Sequence, residues 1–167
     1  MSTIAQQKAR YAGRIGGGAP PVRHFPVEAG ADFEVGDFVK LHTSGSERRI
    51  VACVTGDSET AGMALESASG TAGTKQPVLL AEGDVLFEVN VSHLTPASAV
   101  TGESIVGGKY GMEASSHKVY CKIDDATNKF FQVHELSPRD ALGDQYGRVL
   151  VRVLSDVYQL GPGEKTA

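Results

Sequence analysis

Val85-Leu86-Phe87-Glu88-Val89-Asn90-Val91-Ser92 alternates without a break. Val85, Phe87, Val89 and Val91 share one face of an extended chain; Glu88, Asn90 and Ser92 share the other. Side chains alternate across a strand with period two, so the stretch predicts a half-buried β-strand.

The same pattern recurs on both sides. In 118–124, Val119, Cys121 and Ile123 oppose Lys118, Tyr120 and Lys122. In 148–154, Val149, Val151 and Val153 oppose Arg148, Leu150 and Arg152. Weaker strands are expected over 37–43, 49–55, 61–67, 76–81, 129–136 and 157–160. Pro77 cannot donate to a ladder, which restricts 76–81 to a sheet edge. Turn residues punctuate the runs at Ser44-Gly45, Gly56-Asp57, Ser69-Gly70, Glu82-Gly83-Asp84, Gly107-Gly108 and Asp124-Asp125. Strands at this spacing predict a mostly β fold, a compact barrel or sandwich. One short helix is expected within 137–147, with Ser137 as cap and Pro138 at its first position. No internal repeat stands out.

Residues 1–30 read differently. Gly16-Gly17-Gly18 and Pro20, Pro21 and Pro26 disfavour regular elements, so 1–30 is expected to be an extended arm and 31–167 the body, in one domain. Residues 1–27 hold Lys8, Arg10, Arg14 and Arg23 and no acid. The whole chain has 16 basic and 20 acidic residues, so the remainder stands at 12 against 20. An acidic body argues against nucleic-acid binding, because phosphate neutralisation supplies most non-specific affinity. The arm also carries Tyr11, Ile15, Val22 and Phe25 between its charges. Arg10, Tyr11, Arg14, Ile15, Val22, Arg23 and Phe25 are therefore the candidate partner-binding residues, on a partner protein or a neighbouring subunit.

Chemistry-bearing patterns fail on context. The glycines at 13–18 are not followed by Lys-Ser/Thr, and they follow no strand. His24, His42, His93, His117 and His134 lie singly, so no metal site is expected. No serine sits in a Gly-x-Ser-x-Gly elbow. Cys53 and Cys121 read as buried, unbonded thiols. No run of 18 apolar residues exists, so no membrane helix is expected, and no secretory signal opens the chain. The expectation is a soluble, non-enzymatic protein with no cofactor, made in the cytosol.

Four segments carry a family likeness: Val35-Gly36-Asp37-Phe38-Val39-Lys40-Leu41, the run 49–55, Ala61-Gly62-Met63-Ala64-Leu65-Glu66-Ser67-Ala68, and Ala81-Glu82-Gly83-Asp84 leading into Val85–Val91. Together they resemble the head decoration (cement) proteins of tailed bacteriophages, over about residues 33–95. That resemblance implies a homotrimer on the outer surface of a virion, at local three-fold positions, bridging subunits of the major capsid protein. From charge and hydropathy, no nucleic-acid or membrane partner is expected. A rival is a receptor- or glycan-binding module of a tail or surface assembly, which would expose aromatics such as Tyr110, Tyr120, Phe130 and Tyr146. A small β-barrel enzyme would instead converge polar groups in one pocket.

Overall fold

A computed structural model describes residues 1–161, apart from the side chains of Thr43 and Ser44; the last six residues of the expected body lie outside it. Eleven strands dominate it: β1 (Arg10–Arg14), β2 (Val22–Pro26), β3 (Phe38–Ser44), β4 (Glu47–Ala52), β5 (Gly62–Ala64), β6 (Lys75–Leu80), β7 (Val85–Ser92), β8 (Lys109–Ser115), β9 (Lys118–Lys122), β10 (Phe131–Leu136) and β11 (Arg148–Val153). The only helical pieces among the described residues are 3-10 turns at Pro96–Ser98 and Glu103–Ile105. The mostly-β expectation is correct.

One sheet runs β1-β7-β11-β10-β8-β9 and closes into a five-stranded barrel through a parallel pairing of β7 with β9, leaving β1 as an extra strand. The second runs β2-β6-β5-β3-β4, and a parallel bridge between Val27 and Ile50 joins its two ends.

The two sheets are copies of one pattern. Substituting β7, β8, β9, β10 and β11 for β2, β3, β4, β5 and β6 converts one strand order into the other. The register agrees as well. Val39 faces Gly62 as Tyr110 faces Phe131; Gly62 faces Leu80 as Phe131 faces Val153. Ser44 faces Glu47 as Ser115 faces Lys118, and Val27 meets Ile50 as Val91 meets Cys121. Loop hydrogen bonds repeat too. Gly36 N–H donates to Ala64 O at 3.0 Å, and Gly107 N–H to Val133 O at 2.8 Å. The fold therefore contains the internal repeat that the sequence conceals.

A single core joins the halves. Phe38, from the first half, packs edge-on against Phe87, Phe130 and Phe131 of the second, with centroids 4.9, 5.9 and 5.4 Å away. Edge-to-face geometry sets the positive ring edge against a negative face.

β7 departs from its half-buried expectation: all eight residues are buried. Its apolar face fills the barrel. Its polar face is sealed by the N-terminal segment, where Gln7 N–H donates to Asn90 Oδ1 at 2.8 Å and Arg10 Nε to Glu88 Oε1 at 2.7 Å. Burying such groups is tolerable only when they are paired, and among the described residues no buried side-chain polar atom lacks a partner.

Four further expectations need correction. Residues 1–30 are not an arm apart from the body, since β1 pairs with β7 and β2 with β6. Pro77 lies in β6, which is interior, between β2 and β5. It fits because its carbonyl accepts from Leu65 N–H at 3.1 Å, so its nitrogen faces the same side, just beyond the end of β5 where no ladder partner waits. The helix expected over 137–147 is a set of turns. There Ser137 Oγ donates to buried Glu88 at 2.9 Å, and Asp140 accepts from Arg148 N–H at 2.8 Å and Nε at 2.9 Å. Ser137 Oγ still accepts from Arg139 N–H at 3.4 Å, but the bonds to Glu88 and from Arg148 hold the stretch in turns. The weak strand at 157–160 is reduced to one bridge between Thr60 and Tyr158.

Candidate interaction surface

Most of the candidate residues find partners inside their own chain. Arg10 pairs with Glu88, which also accepts from Ser137. Tyr11 lies opposite Phe87 and packs on the core. A register shift between Tyr11 and Gly13 leaves Ala12 as a bulge, with Gly13 at φ +132°.

Arg14 grips the turn between β6 and β7. Its Nε and Nη2 reach Asp84 at 2.9 Å each, Nη2 reaches Glu82 at 2.8 Å, and Nη1 donates to Ala19 O at 3.1 Å. The hydrogen bond to Asp84 raises the Arg14 pKa, and the same bond holds the Asp84 carboxyl below its ordinary value. Phe25 is buried, with the Arg23 guanidinium 5.2 Å above its ring centroid. Ile15 remains exposed in the passage from one sheet to the other, and Val22 and Arg23 at the start of β2.

Ile15 does not stand alone. With Val106, Gly107, Gln132, Val133, His134 and Arg152 it lines a shallow hollow of about 290 Å³. Ile15 is 50% and Val106 39% exposed. Val106 belongs to no motif and escaped the sequence reading, and His134 is in sequence only one of five single histidines; the fold brings them beside Ile15.

A second cleft, of about 160 Å³, lies where the halves meet and is lined by Asp32, Asp37, Cys53, Ser115 and His117 among others. Ser116 and His117 form the two-residue turn between β8 and β9, both left-handed at φ 51° and 56°, as a type I′ hairpin requires. The turn aims His117 Nδ1 at Asp37 Oδ2, 2.8 Å away, and Asp37 also accepts from Glu34 N–H at 2.9 Å. That hydrogen bond raises the His117 pKa, with Glu34 and Asp32 adding in the same sense. Cys53 is a free buried thiol, pushed up to about 12 by desolvation, as is Cys121. A protonated thiol is a poor nucleophile. The cleft therefore reads as a clip between the halves: Asp37 precedes β3, and His117 belongs to the β8–β9 hairpin.

No family model, curated protein or solved structure matches this chain. Its function must be argued from its surfaces. Among the described residues, no three His, Cys, Asp or Glu side chains are placed to hold a metal ion. Of the aromatics that a glycan-binding module would expose, Phe130 and Tyr120 are buried, and Tyr110 and Tyr146 are half-buried.

Proposed function

We propose that this protein is a structural decoration protein of a phage head, bound to the major capsid protein on the outer surface and bracing neighbouring subunits. The observation that carries this reading is the exposed apolar pair Ile15 and Val106, flanking one hollow on an otherwise tightly hydrogen-bonded β body. A body of two sheets sharing one core, with a small apolar contact on its surface, suits a brace between subunits. The likeness of the Gly36-Asp37 segment to head decoration proteins supports it. Gly36 is left-handed at φ +95° and lies against Ala9, so the motif anchors the N-terminal segment.

The test is co-sedimentation of the purified protein with expanded and unexpanded heads, alongside an Ile15→Asp variant. Saturable binding to expanded heads, lost in the variant, is the expected result. Equal binding of both proteins, or none by either, would overturn the proposal. Sizing the free protein tests the trimer that the family likeness implies.

A further inference from the structure

In the second half, β7 carries a strand along the edge that β9 leaves free. β9 pairs only with Asn90–Ser92, and β1 occupies Val85–Glu88. The repeat places β2 where β7 stands, with Val22 corresponding to Leu86 and His24 to Glu88. β4 touches this edge only at its far end, through the Val27–Ile50 bridge and a bond from Glu28 N–H to Ile50 O at 3.1 Å. Among the described residues, no strand takes the place of β1 along Val22–His24.

Hydrogen-bond parity shows what this edge offers. Leu80 N–H donates to Pro21 O at 2.8 Å and Val27 N–H to Thr74 O at 2.9 Å, so odd-numbered residues of β2 point to β6. The N–H and C=O groups of Val22 and His24 therefore point outward, as alternation in an antiparallel ladder demands. Their counterparts on β7 are the ones that pair with Gly13 and Arg10.

Charge selects the occupant. On β7 the edge supplies acids, Glu88 and the adjoining Asp84, and β1 brings Arg10 and Arg14 to meet them. On β2 the sign is reversed. Arg23 and His24 are exposed, and on neighbouring β4 Arg48 is exposed without an ion pair among the described residues. A second copy of β2 fits badly. Setting Val22 opposite His24 of the copy would place the two Arg23 side chains directly across, with Cα atoms about 4.5 Å apart. Pro20, Pro21 and Pro26 confine the usable edge to these few residues, which blocks open-ended sheet growth.

We propose that the free edge of β2 accepts an acidic, extended segment of a partner polypeptide as an added antiparallel strand, in the position β1 holds on β7. Main-chain bonds to Val22 and His24 hold it, and Arg23 and Arg48 select its charge. The proposal stands whether or not the partner belongs to a capsid.

The experiment titrates a fluorescent synthetic peptide into the full-length protein. The peptide has the sequence of residues 7–16 with Arg10→Glu and Arg14→Glu, which adapts a strand known to fit the equivalent edge. Saturable binding is expected, with amide shifts centred on Val22–His24, and Arg23→Glu in the protein should weaken it at least about tenfold. A peptide N-methylated at the nitrogens facing β2 should not bind, a control that leaves the protein's folding untouched. Absence of saturable binding, equal binding of the N-methylated peptide, indifference to Arg23→Glu, or shifts centred on Leu86–Glu88 would each overturn the proposal.

Discussion

The carbonyl oxygen of Ala9 lies 2.8 Å from the point that a β-carbon on Gly36 would occupy. Gly36 is also left-handed, at φ +95°, while its repeat counterpart Gly107 shares the backbone, at φ +80°, with open space around it. The pair separates two costs. Gly107→Ala should lose about 1–2 kcal/mol from left-handed strain alone. Gly36→Ala should lose more, because the N-terminal segment must also move. Urea denaturation of the two variants gives the comparison, and hydrogen exchange should show faster exchange at Gln7–Arg10 only in Gly36→Ala. Equal losses would mean that the segment does not press on Gly36.

Both cysteines should resist thiol reagents until the protein unfolds. Cys53 and Cys121 are buried, and desolvation pushes each thiol up to about 12. Reaction with an aromatic disulfide at neutral pH should be slow, and should speed up by orders of magnitude in denaturant. Rapid labelling of the native protein would show that the core opens readily.

The strands legible in the sequence were those with one apolar and one polar face over several residues. β11 is the cleanest case, since Val149, Val151 and Val153 are buried and the residues between them half-buried. β1 and β2 were illegible because the partners that fix them are remote. Arg10 meets Glu88 at a separation of 78 residues, and Arg14 meets Asp84 at 70. The repeat was hidden because its halves share position and burial more than identity. Ile50 corresponds to Cys121, Leu41 to Met112 and Ala61 to Phe130, all buried. Core positions select volume in context, so such pairs drift apart in sequence while the ladder persists. Of the candidate residues, Ile15, Val22 and Arg23 stay exposed, whereas Arg10, Tyr11, Arg14 and Phe25 serve the fold.

The clip between the halves should make stability depend on pH. His117 gains Asp37 as an acceptor, so its folded pKa lies above its ordinary 6.5. A group raised on folding adds stability that is complete below its unfolded pKa and is lost as pH rises through the folded value. The wild type should therefore exceed His117→Gln in urea midpoint most clearly below about pH 6.5, with the gap narrowing on the alkaline side. A gap constant across pH would show that the imidazolium takes no part.

Deleting residues 1–27 should abolish cooperative folding, not free a stable body. The deletion removes β1 and β2, and with them Phe25 and Val27 from the common core. Fully burying a side chain of this kind contributes about 1.5–3 kcal/mol. It also strips the half-exposed Arg10 from Glu88, whose side chain is 7% exposed, and leaves that carboxylate only its bond from Ser137 and the longer approach of Arg139. Asn90 loses its bond from Gln7 and becomes open to water on a strand otherwise buried along its length. β6, interior in the intact sheet, becomes an edge with its Pro21 and Thr74 ladder bonds broken. Together these losses are comparable with the whole stability of a typical domain, about 5–15 kcal/mol. Circular dichroism and thermal melting of the 28–167 fragment provide the measurement, with a 1–5 deletion as the milder companion. That shorter deletion spares β1 and the Gln7 bond, and should fold with a lowered midpoint because Ser2 N–H no longer donates to Asp144 or Ile4 N–H to Gln145. A 28–167 fragment that melts cooperatively near the wild-type temperature would show that β1 and β2 are additions to an independent body, and that the remaining strands fold without them.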